Sequence, residues 1–173
     1  DAFTVGEVFN MKADELGQYI GENGHITPIF YFCAHSLSDG AHGWYDAPHV
    51  DFKTWRDTIL SSQINVQKYG LEANIIENHD EPRGVSRYIP EGECTLTAKK
   101  LLATMNVMLR GLPFIYQGQE IGMENVEFQS ISEVDDISTL DEYQVALNAG
   151  LTPAAALKAV NRVSRDNART PFQ

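Results

Sequence analysis

At 173 residues, with 24 acidic against 13 basic side chains and a net charge of −11, the chain is long enough for one domain with a real core and too short for two of ordinary size. Its Lys and Arg residues are dispersed, which leaves no clustered cationic face for nucleic acid or another polyanion. No run reaches the roughly 18 apolar residues that a membrane span requires, so no membrane partner is expected.

In chain order, "AFTVGEVF" (2–9) is rich in β-branched and aromatic residues and predicts a strand. "ITPIFYF" (26–32) predicts a second, with Pro28 near its entrance, where a missing N–H does least harm. From Asp51 the apolar positions Phe52, Trp55, Ile59, Val66 and Tyr69 keep helical spacing up to Gly70, a C-terminal cap. "EANIIENH" (72–79) is the third predicted strand, and the polar stretch 80–94 is a loop. Ala98, Leu101, Leu102, Met105, Met108 and Leu109 then line one face of a helix that ends at the break formed by Gly111 and Pro113. "FIYQG" (114–118) predicts a fourth strand, followed by an acidic loop. Two helices close the chain, one from Asp141 to Ala149 before Gly150, the other with Thr152 as N-cap and Pro153 at its first position. This alternation predicts an α/β fold on a parallel sheet, with the polar residues after the strands at the rim where ligands bind.

Glu7 closes the first predicted strand and Asp80 follows the third, so parallel strands put both carboxylates at one rim. With one strand between them, the strand ends lie about 10 Å apart, and inward-pointing side chains close part of that gap. Paired carboxylates suit acid/base work on an acetal, one protonated and the other ionised. Each residue also has a plainer reading. Glu7 fits a strand-end glutamate in solvent, His79 an imidazole bonded to a backbone carbonyl, and Asp80 with Arg83 a loop ion pair. Gly6 points to a close approach to the backbone beside Glu7. His35, His42 and His49 recur at intervals of seven, the spacing of neither a helical pair nor a zinc finger. Their loop, with Trp44 and Tyr45, is therefore expected to meet substrate rather than metal. Cys33 and Cys94 form no CxxC pair and are expected to be reduced thiols in a cytoplasmic protein. The chain opens on Asp1, with no Met and no leader-like pattern, and reads as cut from something longer. Neither a glycine-rich phosphate loop nor a GxSxG elbow occurs.

With "TVGEVF", "ENHDEPRGVSR", "RGLPFIYQGQEIGMEN" and "SRDNARTPFQ" in this order, the chain resembles the α-glucosidase branch of glycoside hydrolase family 13, the α-amylase superfamily. More narrowly it is similar to oligo-1,6-glucosidases, dextran glucosidases and trehalose-6-phosphate hydrolases. The resemblance runs from Ala2 to Gln173. It implies the C-terminal half of a (β/α)8 TIM barrel, strands five to eight with their helices. The whole chain, 1–173, would then be a partial catalytic domain that lacks the N-terminal half-barrel and the C-terminal β-sandwich.

By the same likeness Glu7 is the general acid/base, Asp80 stabilises the oxocarbenium-like transition state, and His79 bonds sugar hydroxyls. Arg165, which opens "RDNAR", holds the non-reducing-end glucose; Arg83 and Arg87 match arginines next to the site, and Arg83 is taken as a further substrate-binding residue. Tyr116 and Gln117 match a structural segment, and Glu81 adds a rim charge where relatives often carry Gln or Leu.

The family nucleophile, an aspartate in a Gly-Phe-Arg-x-Asp type of motif, has no counterpart here. The isolated chain is therefore expected to be inactive, within a parent retaining α-glucosidase that cleaves terminal α-1,6 or α-1,4 links of short oligosaccharides. No cofactor is expected, and any structural metal site would lie in the missing N-terminal half. The competing reading is a non-catalytic relative that binds carbohydrate or another protein; the presence of both Glu7 and Asp80 favours the enzyme. Half a barrel leaves unpaired strand edges, so the chain alone is expected to self-associate.

Overall fold

The structure is a computed structural model that describes residues 2–9 and 11–172. Its regular elements run β1 (Gly6–Val8), β2 (Pro28–Tyr31), α1 (Phe52–Val66), β3 (Leu71–Asn74), α2 (Gly84–Tyr88), α3 (Leu96–Met108), β4 (Leu112–Pro113), α4 (Ile137–Asn148) and α5 (Pro153–Val163). The chain divides into two compact units assembled from interleaved segments.

The first unit comprises Asp1–Leu37, Asp51–Ile75 and Leu101–Phe114, and it holds the whole sheet. The strands pair in the order β1-β2-β3-β4, every pair parallel. β2 opens on Pro28, since the first strand residue can forgo its N–H. Pro113 ends the edge strand β4, and the ladder continues past it through Phe114 N–H, which donates to Asn74 O at 2.9 Å. Asp51 caps α1 by accepting from Thr54 N at 2.8 Å and Thr54 Oγ1 at 2.7 Å.

Register assigns the two faces of this sheet. Gly6 stands beside Ile29, and Ile29 beside Glu72, so these three share a face, joined two residues on by Val8, Tyr31 and Asn74. That face meets α1, and its core is Leu16, Ile20, Ile29 and Val66, with Val8, Ile26 and Tyr31 packed around them. Glu7 pairs with Phe30 and looks out from the opposite face. The close approach expected at Gly6 is made by the core itself: a Cβ there would stand 2.9 Å from Ile26 Cδ1.

The second unit comprises Ser38–Val50, Ile76–Lys100 and Ile115–Gln173. Ala146 of α4 and Ala156 and Val160 of α5 are fully buried in its core. Thr152 and Pro153 start α5 as expected, with Thr152 Oγ1 accepting from Ala155 N at 3.3 Å.

Several boundaries differ from the sequence reading. β3 ends at Asn74 rather than at His79, and β4 precedes "FIYQG" instead of coinciding with it. An apolar run marks burial, whereas a strand requires a paired backbone, and the two part company at both places. The loop expected over 80–94 contains α2. Its first residue, Gly84, sits so close to Ile76 that a Cβ would fall 2.4 Å from Ile76 Cγ2. α4 starts at Ile137, four residues before the expected start, because Asp136 supplies the cap.

Candidate active site

Within the first unit, Glu7 is exposed on a sheet face lined by aromatic rings. The alternation that sends Glu7 to this side sends Phe9, Phe30 and Phe32 there too. Phe9 and Phe32 stack at 4.3 Å with 6° between their planes, Phe114 meets Phe30 edge-on at 4.7 Å, and His35 stands edge-on to Phe9 at 5.7 Å. A carboxylate beside apolar ring faces is an arrangement that can receive a sugar, whose C–H faces pack on aromatics while its oxygens reach for polar groups. Sequence reading placed Glu7 but missed the phenyl row, although the spacing of Phe30 and Phe32 carries it.

Behind the sheet, on the α1 side, Glu72 is buried at 7% exposure, with no basic partner among the described residues. Ser62 Oγ donates to it at 2.6 Å and Gln63 Nε2 at 2.9 Å; burial outweighs both and pushes its pKa up to about 7. The Cys33 thiol lies nearby, raised by the same burial, and donates toward Thr58 O at 4.0 Å.

In the second unit the structure brings together His79, Asp80 and Arg165, and adds two residues that the sequence reading did not single out, Asp136 and Arg169. Asp80 Oδ1 accepts from Arg169 Nη2 at 2.8 Å and from Arg165 Nη1 at 3.4 Å. Its Oδ2 faces His79 Nε2 at 3.3 Å. Arg169 Nε donates to the His79 carbonyl at 2.9 Å, which fixes the backbone just before Asp80. Both arginines lean on Asp136, whose side chain is 2% exposed: Arg165 donates to Oδ1 through Nη2 at 2.6 Å and Nε at 3.0 Å, and Arg169 Nη1 stands 3.8 Å away. Burial raises the Asp136 pKa, but the bonds from Arg165 and Thr139 outweigh it and hold the carboxyl below its ordinary value. The bond to Asp136, in turn, raises Arg165 above its usual value. With Ser138 Oγ taking a further hydrogen from Nη2 at 2.9 Å, one Arg165 Nη1–H is left without an acceptor among the described residues. The signal that could have found Arg169 is the second arginine of "RDNAR".

Arg83, expected among the substrate-binding residues, is instead buried away from any open surface. Its side chain is 1% exposed and ties Glu77 at 3.1 Å, Gln117 O at 2.7 Å and Asn167 O at 3.2 Å, with the Tyr116 ring 5.5 Å away. It is an internal strut under the loop that carries Asp80. Glu81, expected as a rim charge, is buried and paired with Arg87, which also bonds Ser38. Among the described residues no group of three or more His, Cys, Asp or Glu is arranged to hold a metal ion, the loop histidines included. Gln173, the last residue of "SRDNARTPFQ", lies outside the described residues.

Parallel strands joined through helices, with carboxylates and arginines following the strands, define an α/β segment of the barrel class. The family profile described as Alpha amylase, catalytic domain, matches residues 1–173, and the chain belongs to that family. It is 35% identical to the oligo-1,6-glucosidase of Bacillus cereus over 175 residues, covering 100% of this chain and 31% of the relative. The crystal structure of trehalose-6-phosphate hydrolase from Bacillus licheniformis superposes with a TM-score of 0.90 at 33% identity, over 99% of this chain and 31% of that one. Trehalulose synthase from Pseudomonas mesoacidophila gives 0.85 at 32% identity, over 100% and 32%. The chain thus spans about a third of the length of the relatives it matches, 31% in the case of the oligo-1,6-glucosidase. Its four parallel strands with their helices are a segment of the (β/α)8 barrel of these enzymes. Among the described residues no helix is long and apolar enough to cross a membrane.

Proposed function

We propose that the chain supplies the acid/base and the transition-state-stabilising carboxylate of a retaining α-glucosidase, which releases glucose from the non-reducing ends of short α-1,6- or α-1,4-linked oligosaccharides. The observation that carries this reading is the holding of Asp80 by two arginines that share a buried counter-charge, a degree of fixation that a solvated loop charge does not need. Glu7 protonates the departing glycosidic oxygen and later takes the proton of the incoming water. Asp80 stabilises the positive charge that develops at the anomeric centre, His79 bonds a sugar hydroxyl, and Arg165 offers its remaining N–H to the terminal glucose. Arg83 acts at one remove by supporting the Asp80 loop. Glycoside hydrolysis by carboxylates calls on no cofactor. Both thiols are unpaired, which suits a cytoplasmic enzyme.

A retaining mechanism also needs a nucleophilic carboxylate, and no segment of the sequence resembles Gly-Phe-Arg-x-Asp. The 173 residues are in this reading part of a single barrel domain completed by that segment. The chain alone is expected not to hydrolyse an aryl α-glucoside, whereas a polypeptide carrying both the chain and the aspartate does. Turnover by the chain alone would place the nucleophile among residues assigned other work.

β1 is the first strand in the sheet order, with no strand on its other side among the described residues, and it is flanked by Phe3 and Phe9, 63% and 50% exposed. Such an edge is a template for another strand. Light scattering of the isolated chain is therefore expected to report a dimer or larger species, and a monodisperse monomer would contradict this.

A further inference from the structure

The strongest unassigned feature is Asp136. As N-cap of α4 its Oδ2 accepts from Thr139 N at 2.9 Å and Thr139 Oγ1 at 2.7 Å, which accounts for one oxygen. Its other oxygen faces away from the helix and gathers Arg165 and Arg169, the two residues that hold Asp80. Capping needs neither arginine. The cap is itself immobilised: Thr139 Oγ1, its one hydrogen given to Asp136, accepts from Ser164 Oγ at 3.0 Å, and Asp166 Oδ2 accepts from the backbone N–H of Asp136 at 2.9 Å. Charge alternates from the buried Asp136 through two guanidinium groups to Asp80, whose side chain is 45% exposed. The exposed carboxylate therefore inherits its position from a buried one it does not touch.

We propose that Asp136 is a positioning residue for Asp80, acting through Arg165 and Arg169. This rests on the catalytic reading of Asp80 given above. Without the charge at Asp136 the two guanidinium groups lose their common anchor, and Asp80 is left with partners free to reorient. Misplacing a reacting group by about 1 Å can cost about a hundredfold in rate.

The test is Asp136→Asn, which keeps an amide oxygen to accept from Thr139 N and so preserves the cap, with Thr152→Ala in α5 as a control that removes a helix cap away from the cluster. In an active polypeptide carrying the chain, D136N is expected to lower kcat about 10- to 100-fold with a smaller change in KM, while T152A leaves kcat unchanged. On the 173-residue chain itself, the Arg165 Nε–H NMR signal is expected to be slow to exchange in the wild type and lost to rapid exchange in D136N. Wild-type kcat in D136N, equal losses in D136N and T152A, or an unchanged Arg165 signal in D136N would each overturn the proposal. If the unmutated polypeptide shows no glucosidase activity, the functional reading fails by itself, and the Arg165 signal still decides whether Asp136 is the anchor.

Discussion

Glu7→Gln, made in an active polypeptide carrying this chain, is expected to lower hydrolysis of an unactivated disaccharide by about 10²- to 10⁴-fold. The alkoxide of a sugar is a poor leaving group and requires a proton as the bond breaks; the amide cannot give one. An aryl glucoside with an acidic phenol leaves unaided, so its first step survives, and the defect moves to the second step, where water needs a base. Azide needs no base and is expected to restore turnover of the aryl substrate, with a glycosyl azide as product. The location of Glu7 on the face away from α1, among Phe9, Phe30 and Phe32, is why the effect should fall on chemistry rather than on folding: the core cluster lies on the other face. Undiminished disaccharide hydrolysis by the variant would remove Glu7 from the mechanism.

Glu72→Gln is expected to stabilise the chain at pH 8 and to flatten its response to pH. Burial raises the folded-state pKa from the usual 4.5 to about 7, so the folded state binds this proton more tightly than the unfolded state does. Its contribution is therefore fully present below pH 4.5 and is lost as pH rises through about 7. The difference amounts to about 3 kcal/mol. Part of the gain is lost in the variant, because one side-chain oxygen that now accepts from Gln63 becomes an amide nitrogen. Urea unfolding followed by tryptophan fluorescence should show the variant more stable than wild type by about 1–3 kcal/mol at pH 8, with a difference that shrinks toward pH 4.5. A difference independent of pH would mean that Glu72 titrates normally.

The parts legible in the sequence were those signalled by neighbours along the chain. Asp51 bonds Thr54 N and Thr152 bonds Ala155 N, each across three residues, with Pro153 a second signal in α5, and both helices begin where expected. Pro28, placed near the entrance of a strand expected from Ile26, is the first residue of β2, so that strand starts two residues later than expected. The limits of β3 and β4 were not legible, because Ile75, Ile76 and "FIYQG" continue an apolar pattern after regular pairing stops. Glu72 and Asn74 alternate on the α1 side of β3, yet no local pattern says that a glutamate there will be buried against Ser62 and Gln63. The same division runs through the candidate site. Glu7, His79, Asp80 and Arg165 stand in short motifs that can be read directly. Asp136 looks like one more charge in an acidic loop until the fold brings it to Arg165, 29 residues away, while Arg169 meets Asp80 across 89. Glu81 shows the reverse, a residue that reads as rim charge and is folded into a buried pair with Arg87.

The central claim is tested most directly by following hydrolysis of isomaltotriose by proton NMR, using an active polypeptide that carries this chain. The account predicts that glucose appears first as the α-anomer, together with isomaltose, the outcome of retaining attack from the non-reducing end. Release of the β-anomer, or no cleavage by a polypeptide that holds Glu7, Asp80 and the aspartate nucleophile, would contradict it.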